Sequence, residues 1–335
     1  MNEFITLNHG SGGKQAHQLI TGLFAGRFEM PMPLTDSAVI KSNGFTLAFT
    51  TDSYVVDPLF FPGGNIGKLA VCGTINDLSV SGALPQYLSA SFIIEEGFPL
   101  RDLESIVSTM AEEARLAGVR IVTGDTKVVG KGKCDRLFIT TAGTGWLKPE
   151  FEHLSSGKMI GRGDKLIVNG TLGDHAIAVL GARNNLSFSS PVVSDCASLN
   201  TLIQSVLEEC SQVHFMRDLT RGGLSAVLYE LAQLSGLGLM VDEAFVPVDD
   251  PVRGLCEVLG FDPFNLANEG KVLIVAGEEE HEKLLGILRS HPLGKKSALI
   301  GEITDVNKGE VLLNTFTGGK RVLDIPSGIQ LPRIC

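Results

Sequence analysis

The chain has 335 residues, 44% apolar and 20% charged, with 38 acidic against 28 basic side chains and a formal net charge of −10. That composition describes a folded globular protein of about two domains and argues against a disordered chain. No basic block is present to neutralise phosphates, and no stretch approaches the ~20 apolar residues that span a bilayer, so neither nucleic acid nor membrane is an expected partner.

In chain order, residues 1–13 lack a basic segment followed by an apolar one and do not read as a secretory signal. Gly10-Ser11-Gly12-Gly13-Lys14 lacks the spacing and the preceding strand of a P-loop. Two readings fit it, a glycine segment that folds over a nucleotide and a plain terminus. Residues 45–50 read as a strand that meets Thr51-Asp52. Pro62-Gly63-Gly64-Asn65 leads into a helix over 66–82 rich in small residues. Residues 87–94 are strand-like, and 100–117 show helical spacing closed by Gly118. A strand over 119–123 meets Gly124-Asp125, and another covers 136–144.

The polar connector 149–163 marks the expected domain boundary. Beyond it, 165–169 reads as a strand, Gly173-Asp174-His175 as a turn, and 176–180 as a helix start. Val213 to Met216 precede Arg217-Asp218, and Arg221-Gly222-Gly223 opens a helix to 234. A strand over 271–275 and a helix over 278–291 follow, then short strands and a tail. The expected class is α/β or α+β in two domains.

Acids recur just past the apolar runs: Asp36, Asp52, Asp77, Asp125, Asp174, Asp218 and Glu269. Each alone suits a turn or a helix cap. Gathered at one rim, they suit Mg²⁺, which is shared between one or two carboxylates and substrate phosphates. Asn76 and Asp77 stand inside an apolar helix, where polar groups need a partner or a metal. The glycine turns before 66 and 224 each deliver a helix N-terminus, an arrangement that binds anions or simply punctuates a loop. Lys127 suits phosphate contact, base chemistry or plain solvation, and the dispersed His9, His175 and His214 show no metal spacing. Six cysteines (Cys72, Cys134, Cys196, Cys210, Cys256 and Cys335) form no C-x-x-C pair, which fits reduced thiols in the cytoplasm. Cys335 ends the given sequence, and an accessible thiol there is suited to carry a covalent group.

Several blocks read together resemble the HypE family of hydrogenase maturation factors. They are Thr50-Thr51-Asp52-Ser53-Tyr54-Val55-Val56-Asp57-Pro58-Leu59-Phe60-Phe61-Pro62-Gly63-Gly64-Asn65-Ile66-Gly67-Lys68, Thr123-Gly124-Asp125-Thr126-Lys127-Val128-Val129, Arg217-Asp218-Leu219-Thr220-Arg221-Gly222-Gly223, Asn268-Glu269-Gly270-Lys271 and Pro332-Arg333-Ile334-Cys335. The resemblance runs from His9 to Cys335. It implies the two-domain fold of the aminoimidazole ribonucleotide synthetase superfamily. On that basis 1–150 form an ATP- and Mg²⁺-binding domain that dimerises through its sheet, 151–322 an α/β domain, and 323–335 a flexible tail.

The implied activity is ATP-dependent dehydration of an S-carboxamide to a thiocyanate, supplying cyanide ligands for [NiFe]-hydrogenase. The implied partners are a HypF carbamoyltransferase that loads the terminal thiol and a HypC–HypD complex that accepts cyanide. The resemblance further implies that Asp52, Asp77 and Asp125 hold Mg²⁺, that Asp36, Lys68, Asn76 and Asp218 complete the nucleotide site, and that Lys127 and Glu269 position or deprotonate the carboxamide. Cys335 is the implied carrier. Extended, the segment from Leu323 to Cys335 spans roughly 40 Å, stiffened at Pro326 and Pro332, so one thiol could visit two sites. Two other classes stay open on residues alone: a small-molecule ATP-dependent ligase or kinase, which would not need Cys335, and a scaffold, which would not need the acids.

Overall fold

The structure is a computed structural model that describes residues 4–42, 44–184, 192–325 and 331–335. Pro326 lies outside the described residues. The N-terminal helix α1 (Lys14–Leu19) continues through wider turns to Phe28. Five strands follow, β1 (Ala38–Ser42), β2 (Phe45–Tyr54), β3 (Ala83–Glu95), β4 (Arg120–Val129) and β5 (Leu137–Leu147), in the sheet order β1-β2-β5-β3-β4. Helix α2 (Ile66–Val80) covers one face of this sheet, with α3 (Leu100–Leu116) beside it.

Helix α2 starts where it does because Asn65 Oδ1 accepts the backbone N–H groups of Gly67 and Lys68, at 2.9 and 3.1 Å. That cap occupies the N–H groups a phosphate would use, so this turn packs rather than binds an anion. Gly67 must be small, since a Cβ would come 2.6 Å from the Ile106 carbonyl oxygen on α3. Almost every α2 side chain is buried; Lys68 and Asp77 are the partly exposed ones.

Cross-strand register settles which side chains face α2. Asp52 on β2 pairs with Thr141 on β5, Thr141 with Ala90 on β3, and Ala90 with Gly124 on β4. Thr141 Oγ1 donates to the Ala70 carbonyl of α2 at 2.8 Å, so this row faces the helix. Side chains alternate along a strand, which turns Asp125 and Lys127 to the opposite, open face. Phe45, Phe49, Tyr87, Ile93 and Trp146 are exposed on that same face.

The second sheet contains β6 (Lys165–Val168), β7 (Val213–Asp218), β8 (Gly238–Asp242), β9 (Val272–Ala276), β10 (Ala298–Thr304), β11 (Val311–Asn314) and β12 (Lys320–Leu323). Its order is β12-β11-β8-β10-β6-β9-β7. On one face α6 (Gly223–Ser235) buries Leu224, Leu228 and Leu231. On the other, α5 (Asn200–Glu209) and α8 (His281–Ser290) bury Leu202, Ile203, Leu284 and Leu288. Helices α4 (Asp174–Arg183) and α7 (Asp250–Leu259) share the core of the first sheet instead. Ile334 from the tail joins that core at 5% exposure. No helix among the described residues is long and apolar enough to cross a membrane.

Two expectations change here. Asp52 and Asp125 do not sit beyond strand ends but inside strands, because pairing with β5 and β3 carries the ladder past Thr50 and Gly124. Asp174 and His175 open helix α4 rather than form a turn; Gly173, at φ +84°, supplies the bend before them.

Candidate active site

Four carboxylates meet where α2, β2 and the end of β7 converge. Asp77 projects from α2, Asp52 from β2, Asp218 from β7, and Asp36 from the segment before β1. Burial raises all four above the ordinary carboxylate value, Asp77 and Asp218 the most, and repulsion from neighbouring carboxylates adds to it at Asp36, Asp77 and Asp218. Thr50 Oγ1 lies 2.7 Å from Asp77 Oδ2 and 2.8 Å from the Asp36 carbonyl oxygen. A hydroxyl has a single proton to give. Both contacts are satisfied when Asp77 is protonated and donates to Thr50, which donates onward to Asp36. Arg217 neutralises part of the cluster, with Nε 2.9 Å from Asp36 Oδ1 and Nη1 2.7 Å from Glu230 Oε2. Tyr54 donates its hydroxyl proton to Asp52 Oδ2 at 3.3 Å.

Glu269 lies behind this cluster, 3% exposed, with its Oε1 buried and lacking a described partner. Burial first, then the charges of Asp195, Asp218 and Asp52, push its carboxyl well above the usual range. Such a wall of repelling, partly protonated acids suits a divalent cation, which would remove the repulsion. Among the described residues no three His, Cys, Asp or Glu side chains form a ready-made metal cage. Mg²⁺ ordinarily keeps waters and takes phosphate oxygens besides one or two carboxylates, so it does not require such a cage.

The tail reaches the same place. Val55 N–H donates to the main-chain oxygen of Cys335 at 3.0 Å, and Asp57 N–H to the Arg333 carbonyl oxygen at 3.2 Å. Arg333 Nε donates back to the Val55 carbonyl at 2.9 Å, and its guanidinium pairs with Asp135. Residues 333–335 therefore add to 55–57 much as an extra strand adds to a sheet edge. His175 and Arg183, both on α4, complete the berth. His175 Nε2 donates to the Ile334 carbonyl at 2.8 Å, and Arg183 Nη2 to the Arg333 carbonyl at 2.8 Å. Because a carbonyl only accepts, His175 carries its proton on Nε2, and its Nδ1 accepts from Ser194 Oγ at 2.8 Å. Burial lowers the His175 pKa and keeps the ring neutral.

Cys335 lines a cavity of about 220 Å³ together with Val55, Arg221, Gly222, Asn265 and Ala267. Burial pushes its thiol up to about 12, against the pull of Arg221 and with the carboxylates of Glu269, Asp52 and Asp218 adding to the rise. Docked, the thiol is protonated at neutral pH and a poor nucleophile.

The structure thus gathers Asp36, Asp52, Asp77, Asp218, Glu269 and Cys335. It does not bring Asp125 or Lys127 to them within one chain. Those two pair with each other at 2.7 Å on the open face, three strands from Asp52, about 14 Å at ~4.8 Å per strand. Lys68 turns to Glu113 on α3, at 3.3 Å. The Asn76 amide is committed to the protein: it donates to the carbonyls of Ala197 and Glu269 and accepts from Leu199 N–H. Each such bond left unmade would cost about 1–3 kcal/mol, which explains a polar residue in that helix without a ligand. Arg217, Arg221, His175 and Arg183 were missed as site residues. The first two stand in the same block as Asp218, where only the acid and the glycines drew notice.

Comparison with known proteins agrees with this architecture. Residues 34–147 match the family model of the AIR synthase related protein, N-terminal domain, and residues 161–314 that of its C-terminal domain. The chain therefore has the two-domain AIR synthase related fold. It is 50% identical over 338 residues to "Carbamoyl dehydratase HypE" of Escherichia coli (strain K12), covering 99% of each chain. Among solved structures, "Crystal structure of HypE-HypF complex" matches with a TM-score of 0.86 at 47% identity, over 92% of this chain and 99% of that one. "Crystal Structure of Hydrogenase Maturation Protein HypE in complex with ATP" matches at 0.84 and 45%, over 99% and 100%. The protein belongs to the HypE family of carbamoyl dehydratases.

Proposed function

We propose that this protein converts an S-carboxamide carried on its own Cys335 into a thiocyanate, consuming ATP, to supply cyanide for the iron of [NiFe]-hydrogenase. One observation carries the reading: the chain's own tail seats Cys335 in a cavity within electrostatic reach of the acid wall. A carboxamide oxygen is a poor leaving group. When it attacks the γ-phosphorus of ATP, the O–P bond forms, the bond to ADP breaks and one N–H proton is lost. Cleavage of the C–O bond then releases phosphate as the second N–H proton leaves and the nitrile forms.

Asp52 and Asp77, with Asp36 and Asp218 close by, would hold Mg²⁺ and the ATP phosphates. The metal would supply charge neutralisation on the phosphoryl group. Glu269, with its free Oε1 and raised pKa, suits the base that takes an amide proton. Asp125 and Lys127 face away within one chain, so we assign their roles, metal binding and help in deprotonation, to a second copy's site. The apolar open sheet face is the surface on which that homodimer would form. The HypE–HypF and ATP-bound relatives support HypF as the loading partner and ATP as the nucleotide. A HypC–HypD complex is the proposed acceptor, and free thiols throughout the described residues fit a cytoplasmic setting.

The test is intact mass. Protein carbamoylated by HypF should lose the mass of one water at Cys335 on addition of Mg-ATP, and Cys335→Ala should take up no carbamoyl group yet still bind ATP. ATP hydrolysis with no water loss at Cys335 would sink the reading. A carbamoylated monomer that loses water as fast as the dimer removes the assignment of Asp125 and Lys127 to the second copy.

A further inference from the structure

Three turns close around the Cys335 cavity, and glycines permit it. Gly12, at φ +74°, lies so near Arg221 that a Cβ there would stand 2.8 Å from the Arg221 carbonyl oxygen. Gly223, at φ +61°, lies against the next turn, where a Cβ would stand 2.5 Å from the Phe264 carbonyl oxygen and 2.9 Å from the carbonyl carbon of Asn265. These approaches hold Arg221 and Asn265 in one cavity wall with Cys335.

Both side chains have hydrogen-bonding capacity left over. Arg221 gives one described hydrogen bond, from Nη1 to the Gly10 carbonyl at 3.4 Å. A guanidinium has five N–H donors, so most remain for a ligand. The Cys335 group, then Asp52 and Glu269, favour its charged form. Asn265 Oδ1 is buried and without a described partner. An orphan acceptor of that kind costs about 1–3 kcal/mol unless a ligand satisfies it.

A primary carboxamide offers the complementary set, one acceptor oxygen and an NH₂ group with two donors. We propose that Arg221 and Asn265 read the S-carboxamide on Cys335: the guanidinium donates to its oxygen, and Asn265 Oδ1 accepts one of its N–H groups. The assignment deepens the dehydration proposed above and rests on it. Arg221 holds the oxygen that must take the phosphoryl group and stabilises charge as it transfers. Asn265 fixes the nitrogen and leaves its other N–H free for the base. The pair also sets specificity, because an S-acyl group without N–H bonds would leave Asn265 Oδ1 unpaired.

The experiment uses full-length protein carbamoylated by HypF with a ¹³C-labelled carbamoyl carbon. Three readouts are taken: the ¹³C resonance without nucleotide, ATP affinity by calorimetry, and the single-turnover rate of water loss by mass. Arg221→Gln and Asn265→Leu should each shift the resonance and slow water loss, Arg221→Gln by about 100-fold, the usual cost of one polarising donor, and Asn265→Leu by about tenfold, the cost of one lost acceptor, with ATP affinity held within about threefold. Asn265→Asp, which keeps an acceptor, should recover most of the rate. Arg221→Lys serves where Arg221→Gln fails to fold. An unshifted resonance with wild-type rates overturns the proposal, and so does a parallel loss of ATP affinity, which would make Arg221 a nucleotide contact. If unaltered carbamoylated protein itself loses no water, the dehydration reading fails, while the resonance still tests the subsite.

Discussion

Two regions that meet near Cys335 are built from opposite materials. One is a wall of side-chain carboxylates, buried, mutually repelling and fixed to α2, β2 and β7. The other is a berth built on main-chain hydrogen bonds between 55–57 and 333–335, completed by His175, Arg183 and the Arg333–Asp135 pair. Charge held in place costs stability but needs no rearrangement when phosphoryl transfer begins. A backbone pairing of a few bonds, each worth about 0.5–1.5 kcal/mol net, can be made and broken. The contrast separates what must stay from what must leave.

Breaking the wall should have the largest effect. Asp77→Asn should slow water loss from carbamoylated protein by roughly a thousandfold, as expected when a group stabilising phosphoryl charge is lost. The same variant should melt no lower than the parent, because an amide there keeps a donor for Thr50 and cannot ionise against its neighbours. A lower melting temperature would show that Asp77 stabilises the fold and would weaken the contrast.

Loosening the berth should act on access rather than chemistry. His175→Asn removes the donor to the Ile334 carbonyl. Alkylation of Cys335 by iodoacetamide near neutral pH should then quicken by roughly tenfold, one hydrogen bond's worth of release, since the docked thiol titrates only near 12. Unchanged alkylation would mean that the latch lies elsewhere in the berth.

The smallest expected effect is the pH dependence of stability. Asp77, Asp218 and Glu269 hold protons more tightly folded than at the ordinary values of 3.8 for Asp and 4.5 for Glu. Their contribution is full below those values and is lost as pH rises through the raised folded ones. Without divalent cation, the melting temperature should fall by a few degrees as pH rises above those ordinary values. Added Mg²⁺ should recover part of the loss at the upper pH by binding the folded state. A flat profile would mean that the wall is already neutralised by Arg217.

How far the sequence foretold each side follows from the same difference. The wall is made of side chains, and side chains are letters: Asp36, Asp52, Asp77 and Asp218 could be nominated before any geometry. So could the apolar strand and helix around them, which the structure shows at Phe45–Tyr54 and Ile66–Val80. Strand continuation was harder, because Gly124-Asp125 looks like a turn until its pairing with Ala90 and Ser91 is known. That one difference put Asp125 and Lys127 on a face the sequence did not foresee. The berth was invisible for a deeper reason. Its frame is main-chain N–H and C=O of Val55, Asp57, Arg333 and Ile334, groups that every residue carries save the N–H of proline, and so no letter marks where His175 and Arg183 would dock. Asn76 misled in the reverse sense: a polar residue in an apolar helix signals a need, and here the need is met by backbone from the second domain.

The berth has a kinetic meaning of its own. Since Val55, Asp57 and His175 receive the tail of their own chain, the carboxamide never approaches as a second body. Its occupancy is set by a tether, so dilution cannot starve a site of it, and wherever the proposed dimer stays intact the dehydration is first order in loaded protein. Only the nucleotide can saturate. Each molecule performs one turnover and must then be unloaded, so throughput in the assembly line is governed by exchange between partners rather than by any Michaelis constant for the group being transformed.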